Sequence, residues 1–338
     1  MKQQGFFDDQ ICYERLDKTT DPLLRLKGSI DWELFRPELE AFRNSSSESN
    51  AGRKPFDPIL MFKILVLQAL YNLSDDAMEF QIRDRLSFMR FLDLSLNDRI
   101  PDAKTIWLFR ENLGKANLIK SLFEKFDSYL RENGFAAKKG QIVDASIVKV
   151  PTMRNSREEN RMIKEGHTPE KWSDNKRRQK DTDARWTKKR GSSYFGYKNH
   201  ISVDVKHKLI RKYEVTEASV HDSQIFEEIL DRENSSRDVY ADSAYRSEDQ
   251  IARLKEAGYR EHIQRKGYRN NKLTWWERQG NRTRSRIRSR IEHVFGVQAQ
   301  TAKDVIVRGI GKVRAAVRIG LRNLSYNMNR YAFLSQTG

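Results

Sequence analysis

Three acidic residues stand at positions where a carboxylate could do chemistry: Asp144, Asp242 and Glu292. Asp144 lies inside QIVDASIVKV, an apolar run with Ile, Val and Ala on both faces, which predicts a central strand. A buried carboxylate without a partner is costly, so Asp144 should be paired, lie at a strand end in a cleft, or bind a cation. Asp242 ends the short predicted strand DVYAD, where α/β proteins commonly build sites, although capping of the following turn would also explain it.

Glu292 follows an alternating series of arginines in RSRIRSRIEHVFG. The series consists of Arg284, Arg286, Arg288 and Arg290. The spacing of Ile287, Ile291 and Val294 predicts a helix whose apolar stripe is bordered by Glu292. Two interpretations are open: a surface ion pair on a solvated arginine face, or a metal-binding glutamate beside arginines that hold a polyanion.

The three acids together would suit magnesium, which prefers hard oxygen ligands. Two such ions about 3.5–4 Å apart can stabilise the attacking and leaving oxygens of a phosphoryl displacement. The acids are separated by 98 and 50 residues, so spacing alone does not establish that they converge.

The charge distribution indicates a polyanionic partner. Residues 1–140 hold 22 basic and 22 acidic residues, so the net charge of +17 lies entirely in residues 141–338. A basic half of this size suits phosphate neutralisation, and the alternative is a basic surface without a fixed partner.

Composition excludes several other classes. One cysteine among 338 residues excludes a disulfide framework and a cysteine-rich zinc module. The histidines lack zinc-site spacing and no phosphate-cradling glycine loop occurs, so we expect no nucleotide cofactor. The acidic start and the short apolar run Ile59–Leu70 predict neither export nor a membrane span, and we expect a cytoplasmic, nucleoid-associated protein.

The pattern predicts an all-α N-terminal region followed by an α/β region. Residues 1–50 are predicted as an arm and linker, and residues 51–135 as a helical domain, which either binds DNA ends or is a plain packing module. Within that domain we predict a buried helix over residues 55–73 and a second helix over residues 75–92, capped by Ser74.

In the second domain, residues 140–325, the pattern runs strand, hairpin, helix, strand, helix, helix, a mixed α/β order. The first of these helices is predicted at residues 221–232, and the next, at residues 247–258, with a capping box of Ser247 and Gln250. Residues 151–194 are rich in charge and predict a mobile insert or a phosphate-contacting loop.

Several ordered motifs resemble a bacterial insertion-sequence transposase of the DDE type, most like the insertion-sequence-five group. They are IVDASIV, YFGYKNHISVDVKHKLI with VTEASVHDSQ, VYADSAYRS and RSRIEHVFG, preceded by a helical block that resembles that group's N-terminal domain. The resemblance implies a ribonuclease H-like catalytic domain. It also implies that Asp144, Asp242 and Glu292 are the catalytic and metal-binding acids, with Arg288 in the glutamate's signature.

The chain departs from that signature at two positions. Ser285 replaces a tyrosine three residues before Arg288, and Ala299 replaces a lysine seven residues after Glu292. The resemblance implies that the replaced side chains help to hold the DNA end.

Other residues are predicted to surround the acids. The four arginines and Lys198 are the expected DNA contacts. His221 and Asp222 would either support the acids through neighbouring contacts or cap a helix, and Trp275 and Trp276 would either pack or stack on an unpaired base.

We therefore expect a transposase that uses two Mg²⁺ ions, for which Mn²⁺ can substitute. It would hydrolyse phosphodiesters at the element ends and transfer the 3′ hydroxyl into target DNA, acting as at least a dimer on DNA. The alternatives are a metal-dependent nuclease without joining activity and an inactive DNA-binding relic that acts as a repressor.

Overall fold

The computed structural model describes residues 13–14, 16–18, 21–46, 54–189, 191–269, 271–302 and 306–336. Most of the polar linker predicted at residues 44–52 lies outside them. The chain divides into two compact units: Met1–Leu118 with Leu324–Gly338, and Ile119–Asn323.

The first unit is helical, as the sequence predicts. Its helices are α1 (Pro22–Ser29), a 3₁₀ turn (Trp32–Phe35), α2 (Arg36–Ser46), α3 (Pro58–Tyr71), α4 (Asp75–Asp84), α5 (Leu86–Phe91) and α6 (Ala103–Lys115). The predicted buried helix is α3, in which ten of the eleven residues from Pro58 to Gln68 are buried, Leu60 being the exception. Asp57 caps α3 by accepting hydrogen bonds from the backbone N–H groups of Ile59 and Leu60.

The predicted cap at Ser74 is confirmed, since its hydroxyl accepts a hydrogen bond from the Ala77 backbone N–H at 3.1 Å. The single helix predicted for residues 75–92 is wrong in one respect. Arg85 adopts extended backbone angles and separates α4 from α5, and the apolar spacing continues across this break, so periodicity did not reveal it.

The second unit contains a six-stranded mixed sheet. Its strands are β1 (Gln141–Lys149), β2 (Arg185–Lys189), β3 (Ser192–Asp204), β4 (Ile210–Glu217), β5 (Asp238–Ala241) and β6 (Arg260–Ile263). The order is β2-β3-β1-β5-β6, and β4 also pairs with β3. β1 is a central strand as predicted, antiparallel to β3 and parallel to β5, and the predicted hairpin is the antiparallel pair β3–β4.

Helices accompany this sheet. They are α7 (Leu118–Leu130), α8 (Arg157–Lys164), α9 (Asp174–Gln179), α10 (Asp222–Ile225), a 3₁₀ turn (Ser243–Tyr245), α11 (Glu248–Glu256), α12 (Trp275–Ala302) and α13 (Lys312–Leu334). From Leu324 onward, the residues of α13 belong to the first unit. A π-helical turn at Arg131–Phe135 precedes β1. No helix in the described residues is long and apolar enough to cross a membrane.

The charged insert at residues 151–194 is more ordered than its composition predicts. It contains α8, α9 and strand β2, and Asp181 anchors it by accepting hydrogen bonds from the Tyr197 hydroxyl at 2.8 Å and the Gly311 backbone N–H at 3.1 Å. These partners are distant in sequence, so composition could not reveal them.

Two local predictions need correction. The helix predicted at residues 221–232 forms only the single turn α10. The capping box predicted for α11 is half formed, because the Ser247 hydroxyl accepts from the Gln250 N–H whereas the Gln250 side chain donates to Glu227. Neither change alters the order of elements.

Buried amides join α12, α13 and β3 within the second unit. The side chains of Asn199 and Gln298 donate hydrogen bonds to the Asn323 carbonyl oxygen at 2.9 and 3.0 Å. All three residues are buried, so these bonds satisfy groups that would otherwise be costly to desolvate. The network fixes α12 against the sheet that carries Asp144.

A buried ion network connects α7 with the β3–β4 hairpin. Arg211 is fully buried and its guanidinium contacts Asp204 at 3.0 Å and Asp127 at 2.8 Å. Arg131 contacts Asp127 at 2.7 Å and Asp231 at 3.1 Å. Charges removed from water so completely are tolerated only while they stay paired.

Arg211→Leu should therefore lower the free energy of unfolding by about 3–5 kcal/mol, because it leaves Asp204 buried without its counter-charge. The matched control is Arg253→Leu, which breaks an exposed pair with Glu227 and should cost at most about 1 kcal/mol. Urea unfolding followed by far-UV circular dichroism measures both. Equal shifts for the two variants would contradict the importance of the buried network.

Candidate active site

Strand register brings the first two predicted acids together. In the parallel pair β1–β5, Val143 is opposite Ala241, so the next residues, Asp144 and Asp242, are neighbours at the carboxyl ends of this pairing. Adjacent strands lie about 4.8 Å apart. The two carboxylates consequently share one edge of the parallel pair, where α/β sheets commonly build sites.

Asp144 is a largely buried acid with two different partners. Its Oδ1 accepts a hydrogen bond from the Ala145 backbone N–H at 2.8 Å, and its Oδ2 accepts one from Arg288 Nη1 at 2.9 Å. Burial raises the pKa of Asp144 above its usual value, and the nearby charge of Asp242 raises it further. The Ala145 N–H and the Arg288 charge oppose this rise, so Asp144 depends on nearby positive charge to stay ionised.

Asp242 forms the start of the next turn. Its carboxylate accepts a hydrogen bond from the Ala244 backbone N–H and caps the 3₁₀ turn Ser243–Tyr245. The capping interpretation and the site interpretation are therefore compatible, because one oxygen can cap while the other stays available.

Helix α12 supplies the remaining charges. It packs against β1 and β5 through buried Ile291 and Val294. Arg288 Nη2 lies 3.8 Å from Glu292 Oε1, while Arg288 Nη1 contacts Asp144. The Glu292 side chain is 66% exposed, so the guanidinium of Arg288 lies between the buried acid and the exposed one.

The donor chemistry at this place fits a hard divalent cation. The oxygens come from carboxylates, without a soft sulfur ligand, and two carboxylates on neighbouring strands repel each other unless a cation compensates them. Among the described residues, however, no three His, Cys, Asp or Glu side chains are close enough to bind one metal ion. Asp144 and Asp242 are brought together, and Glu292 reaches them only through Arg288.

A second charged group lies beside the acids. Lys198 Nζ contacts Asp222 Oδ1 at 2.8 Å and donates to the Val220 carbonyl at 2.7 Å. Lys198 is only 12% exposed, so a direct phosphate contact would require it to leave these partners. His221 is exposed and its Nδ1 lies 2.8 Å from the Ser223 hydroxyl, at the start of α10.

Tyr245 lies close enough to Asp222, Asp144 and Asp242 for their charges to affect the pKa of its hydroxyl. The side chain is buried against Phe226, with ring centroids 5.0 Å apart, and its hydroxyl has no hydrogen-bond partner among the described residues. Burial raises the pKa of Tyr245 first, followed by the charges of Asp222, Asp144 and Asp242. The hydroxyl is thus a neutral donor close to three carboxylates.

His200 completes this group and was not anticipated. It is fully buried, with Nε2 2.8 Å from the Thr216 hydroxyl and Nδ1 3.9 Å from Asp222 Oδ1. Burial lowers the pKa of His200 to about 4, partly offset by the charge of Asp222. The available signal was strand alternation, which puts Lys198 and His200 on one face of β3.

The four arginines of α12 that are predicted to contact DNA differ in the bonds that they already make within the protein. Arg286 is exposed, whereas Arg290 Nη1 donates to the Val205 carbonyl at 2.8 Å. Arg284 is partly buried, and this burial lowers its pKa. Arg288 is bonded to Asp144.

The departures from the signature and the tryptophans lie elsewhere on α12. Ser285 Oγ accepts a hydrogen bond from Gln264 Nε2 at 2.6 Å, and Ala299 is exposed. Trp275 and Trp276 lie at the start of the helix and are 56% and 78% exposed. They are not part of the acidic site.

A mixed sheet with flanking helices and two carboxylates at the ends of adjacent parallel strands defines an α/β enzyme of the ribonuclease H-like type. Sequence comparison agrees with this class. Residues 136–328 match the family described as "Transposase DDE domain", and residues 10–112 match "Transposase domain (DUF772)". The chain belongs to the DDE transposase family of the insertion-sequence type, and it is a DNA transposase.

A solved structure with a similar chain is the cryo-EM structure of a piggyBac transposase synaptic complex with hairpin DNA. The two share 12% identity with a TM-score of 0.45, over 94% of this chain and 76% of the other. Transposases with a DDE domain act on DNA and use divalent metal ions. The predictions of fold class and of a DNA transposase are confirmed, whereas the particular insertion-sequence group stays a prediction.

The buried neutral His200 should make the second unit sensitive to acid. Its folded-state pKa of about 4 lies below the usual value of 6.5, so between these values the unfolded chain binds a proton that the folded chain does not. Stability should therefore fall as the pH is lowered through this window, by about 2 kcal/mol at pH 5.

Thermal unfolding at pH 7 and pH 5 measures this loss. His200→Gln, which keeps a polar group for Thr216, should lose less stability between the two pH values than the wild-type chain. His221→Gln, at an exposed position, is the matched control. An equal loss in His200→Gln and wild type would show that His200 is not responsible.

Proposed function

We propose that Asp144, Asp242 and Glu292 hold divalent metal ions, two Mg²⁺ in the cell with Mn²⁺ as a substitute, and that this site cuts and joins DNA at element ends. The observation that carries the proposal is the register that makes Asp144 and Asp242 neighbours, with Arg288 bonded to Asp144 and 3.8 Å from Glu292. Bound ions would lower the pKa of a water and neutralise charge on the phosphate.

The two reactions balance without a nucleotide cofactor. In the first, water forms a bond to phosphorus at the element end, and the bond to the 3′ oxygen breaks. In the second, that 3′ hydroxyl forms a bond to a target phosphorus, and the target strand's own 3′ oxygen leaves. Each step exchanges one phosphorus–oxygen bond for another, so no external energy source is needed.

The chain's own residues would position these reactants. Asp144 and Asp242 are fixed by the sheet, and Asp242 is held further by its cap on the following turn. Arg286, which is exposed, and Arg288 would contact phosphates, and Arg284, Arg290 and Lys198 would do so only after leaving their present contacts. Asp222 would act indirectly by holding Lys198 and His200 beside Tyr245.

The remaining features complete the proposal. The helical domain at residues 51–135 would bind element ends, and the basic insert at residues 151–194 would contact phosphates. Joining two ends requires at least a dimer on DNA. The protein would act at the bacterial nucleoid.

Asp144→Ala, Asp242→Ala and Glu292→Ala should each reduce cleavage and strand transfer at least about 100-fold, since the loss of groups that merely support a metal ligand already costs 10–100-fold. A donor plasmid with the element's inverted repeats, incubated with Mg²⁺, gives both products on a gel. Glu256→Ala, which removes an exposed acid from α11, is the matched control.

The outcomes separate the alternatives. Cleavage without joined products would indicate a nuclease, and DNA binding that is indifferent to Asp144→Ala with no cleavage would indicate a repressor-like relic. Full activity in any one alanine variant would remove that acid from the site.

Arg288→Ala should move the acidic limb of the cleavage pH profile to higher pH. Arg288 lowers the pKa of Asp144, whereas burial and Asp242 raise it, so its removal raises the pKa further and less carboxylate is available for a cation at low pH. Arg286→Ala is the matched control, because it removes an exposed arginine from the same helix. An acidic limb unchanged in Arg288→Ala would contradict this electrostatic role.

A further inference from the structure

An exposed aromatic surface begins α12. We call Trp275 and Trp276 the aromatic ledge; their exposed fractions are 56% and 78%. The two indoles contact each other edge to face, with ring centroids 4.5 Å apart and planes at 85°. Large apolar rings so exposed are more informative than buried ones, because they indicate a surface that binds something.

The first turn of α12 holds the ledge in place. The Thr274 hydroxyl accepts a hydrogen bond from the Glu277 N–H at 3.2 Å, and Glu277 accepts one from the Thr274 N–H at 2.9 Å. Glu277 also binds Arg265 at 2.8 Å. The rings are therefore presented by a capped helix start, which reduces the entropy that a ligand would have to remove.

The charge around the ledge selects a polyanion. Residues 264–282 include six basic residues and a single acid, Glu277, and that acid is occupied by Arg265. The basic residues are Arg265, Lys266, Arg269, Lys272, Arg278 and Arg282. Aromatic faces interleaved with cations suit single-stranded nucleic acid, because each base offers a ring face and each phosphate a charge.

A double helix would not use the ring faces, since its bases are already stacked on each other. The rings can add affinity only where bases are unpaired or separated. An apolar protein partner would lack complementarity to the six cations, so the observations favour DNA with unpaired bases over a second protein.

Helix geometry fixes where such bases would lie. Trp275 and Trp276 precede Glu292 by 17 and 16 residues on one continuous helix, which at 1.5 Å per residue is roughly 25 Å. This rise along the axis is a minimum, because Trp276 and Glu292 also lie about 160° apart around the helix. A stacked strand advances about 3.4 Å per nucleotide, so the separation corresponds to at least about seven nucleotides. The ledge is thus too far away to hold the base at the reacting phosphate.

We propose that the aromatic ledge binds unpaired DNA bases at least about seven nucleotides from the acids, by stacking on Trp276 with phosphates held by the surrounding cations. This inference rests on the proposed function in one respect, namely that the DNA bound here is the substrate of the acids. Stacking contributes affinity for an opened or single strand and none for an intact duplex.

The test measures binding of the full-length chain to a fluorescent single-stranded oligonucleotide and to the duplex of the same sequence, with a chelator present to prevent cleavage. The double variant Trp275→Ala/Trp276→Ala should bind the single strand about tenfold more weakly and the duplex within about twofold of wild type. Trp276→Phe should retain most of the affinity because it keeps a ring face. Phe333→Ala, which removes a 47%-exposed aromatic ring from α13, is the matched control, because no DNA contact is proposed there.

Equal losses for single strand and duplex would overturn the proposal, because they would reflect general damage or charge effects. Unchanged single-strand binding with reduced self-association in sedimentation velocity would assign the ledge to a protein interface instead. If the tryptophan variants bind like wild type, the assignment of the three acids is unaffected. If the alanine variants of the acids remain active, the difference in single-strand binding at the ledge still stands. The two proposals can therefore fail separately.

Discussion

The second unit depends on keeping two like charges together at the end of a parallel strand pair. Pairing of Val143 with Ala241 makes Asp144 and Asp242 neighbours, and a shift of β1 by one residue would turn Asp144 to the opposite face. Burial chiefly raises the pKa of Asp144, and the nearby charge of Asp242 raises it further. The Ala145 N–H and the charge of Arg288 offset part of this rise. The site therefore needs both the β1–β5 register and the position of α12.

Helix α12 connects features that are far apart on the surface. One continuous helix carries the aromatic ledge, Arg288 and Glu292, and its register is fixed by buried Ile291 and Val294 and by the amide of Gln298. Because a helix has a constant rise, the spacing between these features does not depend on loop conformation.

The sequence predicts the elements whose signals are local and leaves out those made by distant partners. β1, the β3–β4 hairpin and the Ser74 cap follow from apolar runs, alternation and capping chemistry. In contrast, β2 is defined by pairing with β3, and the bond from Arg288 to Asp144 joins residues 144 apart in the chain. The contacts of His200 with Asp222 and Thr216 could not be predicted either, because these residues come together only when the strands pair.

Under the proposed function, the position of Arg288 couples DNA binding to cation binding. Arg288 cannot grip a phosphate fully while its guanidinium holds Asp144. Release of Asp144 alone would leave a largely buried carboxylate beside Asp242 without compensation, which is unfavourable. A phosphate that attracts Arg288 and a cation that neutralises Asp144 would each make the other's binding easier, and by linkage the coupling has to be equal in both directions. The same arginine would therefore favour cation binding at the acids when DNA is already present.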